Sequence, residues 1–295
     1  MSISNNSSRT SPKTLGIIGV GLIGASIGLA QKKAKAFDRV LGVGRSQKNL
    51  DEAKAMGAID EAVSLEQCAQ ESDVIVVCVP VAQTFSVLHA IEPHIKASTL
   101  LTDAGSTKSD VIMAAKTALG DKVAQFIPAH PIAGGAQHGA QAAKVDLYQG
   151  KEVIICPLQE NIPPAIEAIN QFWLATGAAT HMMSALQHDA VFASISHLPH
   201  VLSFALMLQV ANSEDAQVKL GHAGAGFRDF TRIAGSSPEM WRDICLANKT
   251  AILKELDNYA NLTKLLRDMI AKEDSDSLLK AFTRASAERQ KWEGR

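Results

Sequence analysis

The sequence predicts an α/β chain whose second half is all-helical. Three observations predict it. Short β-branched runs alternate with helical spacing through the first 180 residues, a glycine-rich turn separates the first run from the first helix, and strand signal fades after residue 184. The length, 295 residues, points to two domains, and 46% hydrophobic against 20% charged residues marks a folded chain. Lys and Arg (29) nearly balance Asp and Glu (30), leaving a net charge of −1. That excludes bulk electrostatics as a route to nucleic acid or an anionic membrane surface. With 5% aromatic residues, stacking platforms for single strands are not expected. Cys68, Cys78, Cys156 and Cys245 form no CxxC pair, so neither a zinc ribbon nor a thioredoxin-type motif is present, no metal is expected, and a reducing compartment fits. The longest uninterrupted apolar run, 74–82, is far short of the roughly 18 residues a spanning helix needs. The first 13 residues are Ser/Asn-rich without a signal-peptide core and read as a disordered tail. The expected location is the cytoplasm.

Taken in order, runs at 15–18, 40–43, 74–79, 100–102, 126–128 and 153–156 read as strands. The stretches 23–35, 49–56, 84–91 and 108–118 between them read as helices, which implies a mainly parallel sheet covered on both faces. Pro163-Pro164 opens a further helix to about residue 176. Residues 184–212 read as one long apolar helix kinked by Pro199. Helical spacing continues over 238–260 and 262–270, with a last helix over 277–291 and a flexible connector at 221–226. Leu202, Phe204, Leu206, Met207, Leu208 and Val210 leave few polar positions in the long helix, so part of its burial is expected in a symmetric dimer.

The first strand runs into Gly19-Val-Gly21-Leu22-Ile23-Gly24, a GxGxxG turn opening a helix. Gly19 permits the tight turn, Gly21 lets the backbone approach a pyrophosphate, and Gly24 allows close helix–strand packing. The organisation expected is therefore a tail over 1–13, a Rossmann dinucleotide-binding domain over 14–180, and an all-helical substrate and dimerisation domain over 181–295. The second strand ends in Gly44-Arg45-Ser46, where an NAD site usually carries Asp or Glu. Arginine and a hydroxyl suit a 2′-phosphate, so NADP is expected over NAD, although Arg45 stacking on adenine would serve either. Cys78-Val79-Pro80 leaves the carboxyl end of its strand beside the switch point, where it would line the cofactor. Asp103-Ala-Gly105-Ser106-Thr107-Lys108 presents a hydroxyl toward the place where nicotinamide and substrate meet, or else a plain helix cap. His130, in Ala129-His-Pro-Ile-Ala-Gly134, is the candidate acid/base, with a satisfied turn histidine as its bland counterpart. His197 and His200 lie three apart on the long helix without a third metal ligand, and read as packing or substrate-binding groups. Arg228 and Arg232, four apart, suit a dianion, or form surface pairs with Asp229.

Together GVGLIG, DAGSTK, HPIAG, SHLPH, FRDFTRIA and Pro238-Glu-Met-Trp241 resemble the prephenate/arogenate dehydrogenase family of tyrosine biosynthesis, in order, from about residue 15 to 290. The resemblance implies a Rossmann domain, a helical dimerisation domain, and oxidative decarboxylation of a cyclohexadienol by NAD(P). It also implies that His130 takes the ring C4 hydroxyl proton as hydride leaves, that Ser106 orients the reactants, and that Arg232 holds a carboxylate. His197, His200, Trp241 and Gln137 would line the substrate side. Many members carry an acidic residue shortly after HP-x-A-G, where this chain has Gly135-Ala136-Gln137-His138; its loss would tilt preference from arogenate toward prephenate. Neither a fused mutase nor a regulatory domain is expected, so tyrosine would act by competition. The competing readings are a β-hydroxyacid dehydrogenase using Lys249, and a nucleotide sensor without chemistry.

Overall fold

The computed structural model describes residues 13–135 and 139–293. The expected tail, apart from Lys13, and Gln137 lie outside the described residues. Contacts divide the chain into two compact units, one ending at Asn248 and one from Lys249 to Arg295.

In the first unit β1 (Thr14–Ile18) is buried along its whole length, as a central parallel strand requires. It pairs in parallel with β2 (Arg39–Val43) on one side and β4 (Val74–Val77) on the other. The edges are β3 (Glu61–Ala62) and β5 (Leu100–Asp103), giving the order β3-β2-β1-β4-β5. Chain direction across the sheet reverses between β1 and β4, the switch point at which such sheets bind ligands. The crossovers are α1 (Leu22–Lys33), α2 (Gln47–Ala55), α3 (Leu65–Glu71) and α4 (Thr84–Ile91), and α5 (Ser109–Leu119) follows β5. One core layer joins Leu15, Ile17, Ile27 and Val40 to Tyr148, Ile169 and Trp173; the other joins Ile18, Ile75, Leu88 and Val111 to Phe126.

A second sheet departs from the mainly parallel expectation. β6 (Ala129–Pro131) pairs antiparallel with β7 (Glu152–Ile155), which pairs parallel with β8 (Ala179–Met182) after α6 (Pro163–Leu174). The strand expected at 126–128 is displaced. Phe126 makes a single bridge to Leu101, and the ladder forms only after Pro128, which has no N–H to donate.

The long apolar helix is not simply kinked at Pro199. α7 (Ala185–Phe192) passes through a π turn at Ala193–His197 into α8 (Leu198–Ala211). Pro199 then sits in the first turn of α8, where its missing N–H costs little. The π turn also absorbs one residue of helical phase. At about 100° per residue, nine residues would set His188 and His197 on opposite faces. Both are instead buried, at 0% and 1% exposure. By length and composition the segment Ala185–Ala211 is apolar enough to cross a membrane, with mean hydropathy 1.6. Counting uninterrupted apolar runs missed this, because single His, Asp and Pro residues break the run without breaking the helix.

Beyond α8 come α9 (Ala216–Gly221), α10 (Ala225–Thr231), a 3₁₀ turn at Arg232–Gly235, and α11 (Pro238–Ala247). The connector is thus only 222–224. In the second unit α12 (Lys249–Ala271) pairs with α13 (Ser275–Glu293).

Candidate active site

The glycine turn is dictated by its surroundings. Gly19 has φ +100°, and a Cβ there would lie 2.5 Å from the Cys78 carbonyl oxygen. A Cβ on Gly24 would overlap the Gly19 carbonyl oxygen. Gly21 differs, because nothing lies within 4 Å of where its Cβ would be. The turn is closed by Gly19 N–H donating to Val43 O (2.8 Å) and Cys78 N–H donating to Ile18 O (2.7 Å). A cleft of about 820 Å³ opens above it, lined by Gly19, Gly21, Gly44, Arg45, Ser46, Cys78, Val79 and Pro80. Ser46 also caps α2, accepting from Asn49 N at 3.3 Å. Leu22 and Gly24 are not among the residues lining this cleft; Gly24 packs beneath the turn. A dinucleotide fits this geometry: bare backbone at Gly21, the α1 N-terminus beside it, and the cleft at the carboxyl ends of the strands.

A second cleft of about 290 Å³ shares Cys78, Val79 and Pro80 and adds Ile23, Gly105 and Ser106. Ser237, which caps α11, and Met240, Asp243 and Ile244 of α11 close its other side. The DAGSTK loop wraps a buried ion pair between Lys108 Nζ and Asp103. Asp103 also accepts from Gly105 N (2.8 Å) and Ala129 N (2.9 Å), fixing the loop to β6. Neither Ser106 nor Thr107 caps α5. That role falls to Asp189 of α7, whose carboxylate accepts from Lys108 N (2.9 Å) and Ser109 N (2.8 Å). No hydrogen bond joins the Ser106 hydroxyl to His130.

His130, on β6, meets α7 through its ring. Its Nδ1 lies 2.8 Å from His188 Nε2, and His188 Nδ1 lies 2.8 Å from Asp189 Oδ1. Phe192 packs on both rings. His130 Nε2 makes no hydrogen bond among the described residues. Burial, with His188 and Lys108 disfavouring a further positive charge, drives the His130 pKa well below its ordinary value. Burial likewise lowers His188, with Asp189 opposing. For Asp189, burial works against the charge, but hydrogen bonds from His188, Ser109 and Lys108 prevail and hold it at about 2.

His197 is locked behind this layer: Asn248 Nδ2 lies 3.2 Å from its Nδ1, and Asn248 also donates to Asp189 O at 2.8 Å. Burial lowers its pKa to about 4. His200 donates from Nδ1 to Ser196 O (2.9 Å) and stacks on Trp241 with centroids 3.6 Å apart. Among the described residues Trp241 Nε1 is buried without a partner. Arg232 is exposed near His200, whose charged form it disfavours. Arg232 begins the 3₁₀ turn, so it does not continue the Arg228 helix. The structure thus gathers His130 with His188 and Asp189, and His200 with Trp241 and Arg232. Sequence reasoning missed His188, Asp189 and Asn248. The available signal was a His-Asp pair inside an otherwise apolar helix, because such groups are buried only with partners.

Residues 27–182 match the family described as prephenate dehydrogenase, nucleotide-binding domain, and 184–284 match prephenate dehydrogenase, dimerization domain. Prephenate dehydrogenase of Bacillus subtilis is 37% identical over 276 residues, covering 92% of this chain and 74% of the relative. Cyclohexadienyl dehydrogenase of Zymomonas mobilis is 34% identical over 273 residues, covering 92% of each. Prephenate dehydrogenase of A. aeolicus, solved with hydroxyphenyl propionate and NAD+, superposes with a TM-score of 0.89 at 28% identity, covering 96% of this chain and 99% of that one. Arogenate dehydrogenase of Synechocystis superposes at 0.80 with 26% identity, covering 95% and 99%.

Proposed function

The chain belongs to the prephenate dehydrogenase family, and from that premise we propose the reaction and the residues that carry it. The reaction is NAD(P)-dependent oxidative decarboxylation of a cyclohexadienol: prephenate to 4-hydroxyphenylpyruvate, arogenate to tyrosine, or both, with release of CO2. The relatives are prephenate, cyclohexadienyl and arogenate dehydrogenases, so the β-hydroxyacid alternative through Lys249 is not favoured.

The observation that carries the reading is His130, half-buried and held neutral, tethered through Nδ1 with its Nε2 unengaged among the described residues. A neutral imidazole can accept the C4 hydroxyl proton as the C4–H hydride departs. The resulting ketone is vinylogous to the ring carboxylate, so loss of CO2 follows and aromatises the ring. A bound nicotinamide dinucleotide supplies the hydride acceptor. Gly19, Gly21, Leu22, Ile23 and Gly24 form its pyrophosphate turn; Gly44, Arg45 and Ser46 meet the adenosine ribose; Cys78, Val79, Pro80 and Ser106 face the nicotinamide. With no carboxylate at Gly44 and a guanidinium next to it, NADP is the preferred form. Arg232 takes a substrate carboxylate bidentately, with His200 and Trp241 on the substrate side and His197 buried behind them. Residues 14–180 carry the dinucleotide, and 181–295 carry substrate groups and the contact with a second copy. The cytoplasm is its compartment, in keeping with four free cysteines.

The test is formation of reduced cofactor with prephenate and arogenate, each with NAD and NADP, alongside His130→Asn. Turnover in the wild type and a loss of about 100-fold or more in the variant is the expected result. The kcat/KM ratios rank substrates and cofactors together. Wild-type protein that binds dinucleotide yet turns over neither substrate would overturn the reading.

A further inference from the structure

His130 is the third member of a chain of three groups. Asp189 is fixed first: two α5 backbone amides donate to it and the helix N-terminus favours its charge. An ionised carboxylate can only accept, so neutral His188 must place its proton on Nδ1, facing Asp189. His188 Nε2 is then a lone-pair acceptor. The atom 2.8 Å away, His130 Nδ1, must be the donor. We infer that His188 and Asp189 are positioning residues that hold His130 with its proton on Nδ1, so that Nε2 is the atom that takes the substrate hydroxyl proton. This rests on the function proposed above.

The chain also serves the product of that step. With the proton on Nε2, His130 carries one on each nitrogen, and its Nδ1–H still points through His188 to the Asp189 carboxylate. The other groups around the pair are Lys108, His197 and Asp103, with Lys108 already neutralised by Asp103. Asp189 is therefore the carboxylate that answers the new charge. Protonating His188 instead would reverse the chain: His188 would donate to His130 Nδ1, and His130 Nε2 would carry a proton and cease to be a base.

The tautomer is directly readable from ¹⁵N chemical shifts and long-range ¹H–¹⁵N couplings of the free protein labelled at histidine, with His130→Asn identifying the His130 signals. The expected spectrum at mildly alkaline pH has His130 protonated at Nδ1. In His188→Leu it reverts to Nε2–H, the form imidazole prefers in water, and kcat falls about 100-fold with KM changed little. The acid limb of kcat moves as well, because the group that reverses the chain is gone. His188→Gln, whose side-chain oxygen can accept from His130 and whose amide can donate to Asp189, restores part of kcat. A wild-type His130 protonated at Nε2, or a His188→Leu protein with unchanged kcat and pH profile, overturns the inference. The spectrum needs no substrate, so a failure of the proposed reaction and a failure of the tautomer assignment are separate results.

Discussion

Burying neutral histidines ties the stability of this protein to pH. Unfolded, a histidine titrates near 6.5. Folded, His197 titrates at about 4, and His130 well below its ordinary value, because burial penalises the cation. Between those values the unfolded chain binds protons that the folded chain refuses, so stability is full above about 6.5 and is lost as pH falls toward 4. For His197 alone the loss amounts to about 3 kcal/mol at the bottom of the window. Asp189, held at about 2, adds a second loss below the ordinary carboxylate range, as protonation breaks its bonds to His188 and the α5 amides. Calorimetric Tm is expected to hold near neutrality and fall between pH 6.5 and 4, with His197→Asn flattening the fall. A Tm constant from pH 7 to 4.5 would contradict the buried neutral state. At this scale the sequence was half legible. His130 stood out because a strand-end His-Pro is conspicuous. His188 and Asp189 did not, because an apolar helix hides which of its polar residues have partners until another strand and helix are packed against it.

Among elements, the glycine turn separates folding from cofactor approach. A Cβ on Gly24 would overlap the Gly19 carbonyl oxygen and reach Ile17, so Gly24→Ala must push α1 off β1. A Cβ on Gly21 would meet nothing within 4 Å, so Gly21→Ala leaves the protein intact and intrudes only where the pyrophosphate approaches. The expected outcome is a lowered Tm for Gly24→Ala, and an unchanged Tm with at least about tenfold weaker dinucleotide binding for Gly21→Ala. Thermal melts and a cofactor titration check both; tight binding by Gly21→Ala would move the pyrophosphate elsewhere. The alternation that revealed β1, β2, β4 and β5 is strong because these strands are buried on both faces. β3 is two exposed residues and β8 is mostly exposed, so neither carries an apolar signature. The π turn is invisible to periodicity, since sequence spacing assumes an unbroken 3.6-residue repeat.

For the whole molecule, what needs explaining is apolar surface. In the first unit α8 has a single buried residue, Ser203, though its sequence is apolar nearly all round, and Leu208 is 60% exposed. In the second unit, Leu262 and Leu265 of α12, and Leu279 and Phe282 of α13, are all more than half exposed. Each pair is three residues apart and so shares a helix face. Two helices cannot bury enough of themselves to be stable alone at this length, and exposed apolar area of this extent marks an interface. The region 184–284 matches a dimerization domain, so the occupant expected on these faces is a second copy in a closed, symmetric contact. Sedimentation velocity is expected to give a dimer for the wild type. Leu208→Glu, and separately the double change Leu262→Glu and Leu265→Glu, should shift it toward monomer, because a carboxylate buried without a partner opposes association. Dinucleotide binding at the glycine turn should survive Leu208→Glu, since the turn is held by β1, α1, β2 and the end of β4. A wild-type protein that sediments as a monomer at micromolar concentration would refute the dimer and leave these faces to a different partner.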